Sequence, residues 1–218
     1  MSGSQRVQPQ RLQHSGAAQA VYRFLRRMGS SGRDCRMAVA VAALWAVGSP
    51  MLAPTAAVAA EPDYAFSLTG QVVTVADGDT LTLLVNKRRE RIRLASIDAP
   101  EVTKDRKRPG QPMAQQSRKA LADLVAGKTL TVRCYEQDRY QRNVCDVILP
   151  DGSSANRRQV ETGMAWANME KRGRFMRDEA LPGLERRARR DKLGIWQRTD
   201  AVAPWVWRYQ CWQVGECS

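Results

Sequence analysis

GQVVTVADGDTLTLLV, residues 70–85, alternates apolar and polar positions and is rich in valine and threonine. That pattern predicts two strands broken at Asp77-Gly78-Asp79. NKRRE (86–90) reads as a polar turn. RIRL (91–94) resumes the alternation, so Ile92 and Leu94 face the core while Arg91 and Arg93 share the other face. Pro100 ends that strand, and TKDRKRPGQP (103–112) is a charged loop rich in glycine and proline. The period then changes. Met113, Ala114, Ala120, Leu121, Leu124 and Val125 recur at helical spacing over 113–127, with Gly127 as the C-terminal stop. TLTVRCY (129–135) and VCDVIL (144–149) read as an antiparallel pair joined by EQDRYQRN (136–143). After a turn at Pro150-Asp151-Gly152, residues 153–165 read as a short helix. Residues 174–196 read as a basic helix with Pro182 in its first turn. No internal repeat is evident.

Five short strands in antiparallel order, with a helix after the third, predict an α+β fold. Its centre is a small five-stranded closed barrel of the OB-fold type, with about three helices. This domain is expected over residues 61–198. Residues 199–218 form an aromatic, cysteine-bearing tail, and residues 1–60 an N-terminal extension. The first 36 residues are polar and carry seven arginines, and residues 37–60 contain no charge and end in AVAA. That is the pattern of a secretory signal peptide cleaved after Ala59 or Ala60, with Met28 as an alternative start. The alternative is an uncleaved membrane anchor. Pro50 and Pro54 break the apolar run, which falls short of the ~18 residues a span needs. The expected location is therefore periplasmic or extracellular, with membrane attachment only if residues 37–60 stay in place.

Charge sharpens this picture. Without the extension, the chain keeps 28 Lys+Arg against 21 Asp+Glu, a net +7. A basic surface of that size suits a polyanion, because released counterions drive the binding. Cys134, Cys145, Cys211 and Cys217 make an even count, which in an exported chain reads as disulfides. Of the three pairings, Cys134–Cys145 and Cys211–Cys217 are preferred, since each pair is close in sequence and the first spans adjacent strands. The spacings fit no zinc pattern, and the only histidine is His14, in the extension.

Against this basic background stands one compact set of acids. Asp77 and Asp79 lie in a strand break, Asp98 and Glu101 at a strand end, and Arg93 flanks them. Singly, such residues are ordinary turn formers. Together they offer hard oxygen donors suited to Ca²⁺. With no histidine in residues 61–218, any general base is a carboxylate, a lysine or a tyrosine, which excludes Ser-His-Asp and Cys-His machinery. Arg93 and Arg142 offer planar forks that match phosphate.

DGDTL, then RIRLASIDAPE, then DRYQR, then N-x-x-x-V-x-x-G-x-A at 156–165 resemble, in order and spacing, the staphylococcal nuclease (thermonuclease) family. The resemblance covers roughly residues 70–197. It implies an OB-type barrel with three helices and Ca²⁺-dependent cleavage of DNA and RNA by water attack on a phosphodiester. By position, Asp79, Asp98 and the Ala99 carbonyl resemble the Ca²⁺ ligands. Glu101 resembles the residue that activates or orients water, and Arg93 and Arg142 the phosphate-binding arginines. Asp77 resembles a supporting acid. The chain departs from the pattern at Gln141, where the family usually has glycine, and at Trp166-Ala167-Asn168-Met169, where the namesake nuclease has tyrosines beside the nucleotide. Trp166 either stacks a base or packs in the core. In the tail, Trp205, Trp207 and Trp212 either cover the barrel or stack bases. A catalytically silent nucleic-acid-binding barrel and an anchored binder of anionic polymer are the competing readings. The implied partner is DNA and/or RNA. Nothing in the sequence specifies a protein partner, so a monomer is the default.

Overall fold

In the computed structural model, residues 63–217 are described, and the signal-like extension lies outside them. In chain order the strands are β1 (Phe66–Val75), β2 (Thr80–Val85), β3 (Arg88–Leu94), β4 (Ile97–Asp98), β5 (Thr129–Gln137), β6 (Asn143–Ile148) and β7 (Trp166–Ala167). Five of them close into a barrel in the order β1-β2-β3-β6-β5, and β4 pairs with β7 separately. The expected barrel is present, but not every seam is antiparallel. β3 and β6 run parallel, with Ile92 opposite Asn143, Arg93 opposite Val144 and Leu94 opposite Cys145. An odd number of strands cannot close with every neighbour antiparallel. β3 and β6 each lie two antiparallel steps from β1, so both run in its direction and meet in parallel.

The period-2 alternation buries Val72, Leu81, Leu83, Ile92, Leu94, Val132 and Val147 in the barrel. Each such side chain contributes roughly 1.5–3 kcal/mol of hydrophobic stabilisation. Cys134 and Cys145 are direct cross-strand partners and form a disulfide. β5 runs two residues further than the sequence pattern suggests and β6 begins one residue earlier, so the connection between them shrinks to residues 138–142.

Three helices of seven residues or more match the expectation: α1 (Ala114–Val125), α2 (Ala155–Glu161) and, after the four-residue α3 (Glu170–Gly173), α4 (Leu181–Arg190). α4 is shorter than the predicted 174–196, but Pro182 does sit in its first turn. The Ser154 side chain accepts from the Arg157 amide and caps α2. α2 docks through Asn156, whose Oδ1 accepts from the Val147 amide at 3.0 Å. Its Nδ2 donates to the Ala95 carbonyl at 3.0 Å, which ties β6 to the end of β3. The end of α2 also touches a 3-10 turn at Gly194–Gln197, backbone to backbone. There the Ile195 amide donates to the Gly163 carbonyl at 2.8 Å. Gly163 sits at φ 69°, and a Cβ on it would fall 2.3 Å from the Leu193 carbonyl oxygen, so only glycine fits.

The tail is structured. α5 (Pro204–Trp207) runs into a π-helical turn over Arg208–Val214, and Cys211 and Cys217 form the second expected disulfide. Trp166, Ala188, Ile195 and Trp196 make a small second core, against which Trp205 packs. Among the described residues, no helix is long and apolar enough to cross a membrane.

Candidate active site

The turn between β1 and β2 aims the first acid. Asp77 Oδ1 accepts from the Asp79 amide at 3.1 Å, and the Ala76 amide donates to the Thr80 carbonyl at 2.8 Å. Gly78 lies between the two acids, against α1. A Cβ there would fall 1.8 Å from Ser117 Oγ and 2.7 Å from Ala99 Cβ. Buried Gln159 of α2 fixes the turn from below, donating to the Gly78 carbonyl at 2.7 Å. Asp79 is itself buried. Its Oδ2 accepts from the Ala99 amide at 2.7 Å and its Oδ1 from the Thr80 hydroxyl at 3.0 Å.

The second acid arrives through a reversal after β3. Ser96 takes φ 64°, which turns the chain so that Ile97–Asp98 can pair with Trp166–Ala167. Arg93 points outward between the two acids. One of its terminal nitrogens is ion-paired with Asp79, and the other donates to Asp98 Oδ1 at 2.9 Å and to the Ile97 carbonyl at 3.2 Å. Glu101 follows on the loop. Gln111 clamps its backbone from both sides: Oε1 accepts from the Glu101 amide at 2.9 Å, and the Gln111 amide donates to the Glu101 carbonyl at 2.7 Å.

A second guanidinium, Arg208 of the tail, enters the same cluster. It donates to Asp98 Oδ1 at 3.1 Å, to Asp98 Oδ2 at 2.8 Å and to Glu101 Oε1 at 2.8 Å. Burial pushes the carboxyl pKa values of Asp79 and Glu101 up, against the opposing pull of Arg93 on the first and Arg208 on the second. Burial alone would lower the pKa of each guanidinium. The surrounding carboxylates more than offset that, so both arginines are held firmly charged.

Residues 91–198 match the family of staphylococcal nuclease homologues. The chain is 40% identical to an uncharacterized endonuclease of Escherichia coli O157:H7 over 65% of its own length and 85% of that protein's. It is 37% identical to a micrococcal nuclease of Shigella flexneri over 64% of its own length and 79% of that protein's. A further endonuclease, from Haemophilus influenzae, is 34% identical over 65% of this chain and 74% of that protein. The chain belongs to the staphylococcal nuclease homologues.

Against that family pattern, Asp79, Asp98, Glu101 and Arg93 come together as the motif suggests, with Asp77 beside them holding the turn. Ala99 contributes its amide to Asp79. Arg142 stands apart from this cluster. Its Nε donates to Asp138 Oδ2 at 2.8 Å on its own turn, and no hydrogen bond or ion pair joins it to the acids among the described residues. It stands just before β6, two residues ahead of Val144, the partner of Arg93 across the parallel seam. Gln141, where the motif usually has glycine, adopts φ 57°, a left-handed conformation that glycine favours.

Trp166 is buried and meets Trp196 edge-on, with ring centroids 5.0 Å apart, so it packs rather than stacks a base. The indole N–H groups of Trp207 and Trp212 both donate to the Pro109 carbonyl, at 3.2 and 2.8 Å, which anchors the tail on the loop beside Glu101. Arg208 is the site residue that sequence reasoning missed. It lies beyond the family motifs, among many other arginines, and its only local signal is its place between Trp207 and Tyr209.

Proposed function

We propose that this chain is a nuclease that hydrolyses phosphodiester bonds of DNA and/or RNA with the help of Ca²⁺. The observation that carries the reading is the joining of Asp79, Asp98 and Glu101 with Arg93 at one end of the barrel. Membership of the staphylococcal nuclease homologues supports it.

The donor set fits a hard cation. Asp79 and Asp98 present carboxylate oxygens without sulfur or imidazole nearby, and the guanidinium of Arg208 already rests on Asp98 as a positive stand-in. Among the described residues, no three His, Cys, Asp or Glu side chains form a ready cage. The carboxylates would therefore hold the ion with waters or substrate oxygens as further ligands. Bound there, Ca²⁺ would supply Lewis-acid polarisation of the phosphate and a template for the attacking water.

The chain's own residues supply the rest. Glu101, fixed by Gln111, accepts a proton from water or orients it. Burial raises its proton affinity toward that of a useful base. Arg93 stabilises charge that develops on the phosphate oxygens. Arg142 supplies a second fork once it exchanges Asp138 for phosphate. The net basic surface holds the remainder of the strand.

We further infer that the protein acts outside the cytoplasm, as a monomer, after cleavage near Ala60. The uncharged 37–60 segment and the two disulfides support export. N-terminal sequencing of the exported protein tests this, and an intact 37–60 segment would mean anchoring instead.

The function is tested by incubating the chain with single-stranded DNA in Ca²⁺ and then in a chelator. Cleavage is expected only with Ca²⁺, and Glu101→Gln should slow it by about 10²–10⁴-fold. Tight binding without cleavage under Ca²⁺ would replace the nuclease by a silent binding module.

A further inference from the structure

The second guanidinium of the acid cluster comes from a segment outside the matched family region, residues 91–198. Both oxygens of Asp98 accept from Arg208, and Oδ1 also accepts from Arg93. Glu101 Oε1 accepts from Arg208 Nη1, the nitrogen that also donates to Asp98 Oδ1. On Asp98 three N–H donors take most of the roughly four acceptor sites of a carboxylate, which leaves little room there for a cation. A divalent ion on Asp98 would also face a guanidinium in direct contact with the same carboxylate, and that repulsion is strong in a buried setting.

The tail that carries Arg208 is fastened at several points. Trp207 and Trp212 donate to the Pro109 carbonyl, and Gln111, the clamp of Glu101, donates through Nε2 to the Val202 carbonyl at 2.9 Å. The Cys211–Cys217 disulfide closes the turn that follows Arg208. The Arg208 side chain keeps 29% of its surface exposed, whereas Asp98's keeps 1%. Arg208 can thus leave toward solvent while the acids stay in place.

We propose that residues 199–217 form a built-in plug, in which Arg208 takes the cation's place on Asp98 and covers Glu101, and the site loads only when this segment withdraws. The proposal rests on the nuclease reading of the acid cluster. Tail and cation then compete, and linkage makes the competition reciprocal: whatever factor the tail takes from cation affinity, the cation takes from tail docking.

Calorimetric titration of the full chain with Ca²⁺ tests this, beside Arg208→Ala and Trp212→Ala. The second variant leaves the arginine in place but removes an anchor. Both variants are expected to bind Ca²⁺ about tenfold or more tightly than the parent. In the parent, saturating Ca²⁺ should speed hydrogen exchange of the amides of residues 204–214. Equal Ca²⁺ affinity with and without Arg208, or unchanged exchange in the tail, overturns the plug. Arg208 would then coexist with the ion as another phosphate-binding arginine. If neither the parent nor either variant binds Ca²⁺, the cation reading fails and the plug fails with it, which separates the two failures.

Discussion

Arg93 bridges Asp79 and Asp98 with one guanidinium, and the proposed mechanism asks the same planar fork to meet phosphate. A lysine at this position keeps the charge but not the fork. Arg93→Lys is therefore expected to reduce turnover by about 10²-fold through misplacement of the acids, with the variant still folded by circular dichroism. Unchanged turnover would mean that the charge alone matters. Arg93, Asp79, Asp98 and Glu101 were legible in the sequence because two turns and one short strand carry them all, so their spacing encodes their meeting. Arg208 was not legible. It reaches Asp98 across 110 residues of chain, and spacing says nothing about contacts made by packing alone. The role of Trp166 was open for a related reason. Its position in the motif allowed either stacking or packing, and only its neighbour Trp196 decides between them.

Strands and helices were read well wherever the period was sustained. The parallel β3–β6 seam was not, because alternation reveals a strand's faces and not the direction of its neighbour. The β5–β6 hairpin is the one pair of barrel strands joined covalently as well as by hydrogen bonds among the described residues. Its cross-strand disulfide is expected to contribute about 2–4 kcal/mol. Urea unfolding of a Cys134→Ser/Cys145→Ser variant should show that loss, with Ca²⁺-dependent cleavage retained at temperatures where the variant is folded. Beside the disulfide, Asp146 Oδ2 accepts from the hydroxyls of Tyr64 and Tyr135, each at 2.8 Å. Burial raises the Asp146 pKa, and the two tyrosine hydrogen bonds only partly oppose this. A carboxyl whose folded pKa is raised contributes stability that is complete below its unfolded pKa and is lost as pH rises through the folded value. The parent's unfolding free energy should therefore fall across that window, and Asp146→Asn should flatten the fall. Parallel slopes in urea titrations at a series of pH values would show that Asp146 has no such role.

Across the whole molecule, net positive charge is the feature most relevant to substrate. Outside its N-terminal extension the chain keeps +7, and α4 alone carries Arg186, Arg187, Arg189 and Arg190. Affinity for single-stranded DNA, measured with Glu101→Gln so that the strand survives, should fall linearly on a log–log plot against salt. The slope should be about −0.7 for each phosphate contacted. A flat plot would remove the basic surface from the binding account.

Two seams of the barrel, β1–β5 and β3–β6, join segments distant in sequence, and this bears on the order of assembly. β1, β2 and β3 pair with sequence neighbours, as do β5 and β6 with each other, so both units form from local contacts. Joining β1 to β5 and β3 to β6 requires closing long loops that include α1, and such non-local pairing is slow. A refolding chain is thus expected to assemble the turn of Asp79 and the strand of Arg93 before the strand after Arg142 comes alongside. In that interval the edges at Arg93 and Val144 are bare, and they are the surfaces through which two half-built copies would meet.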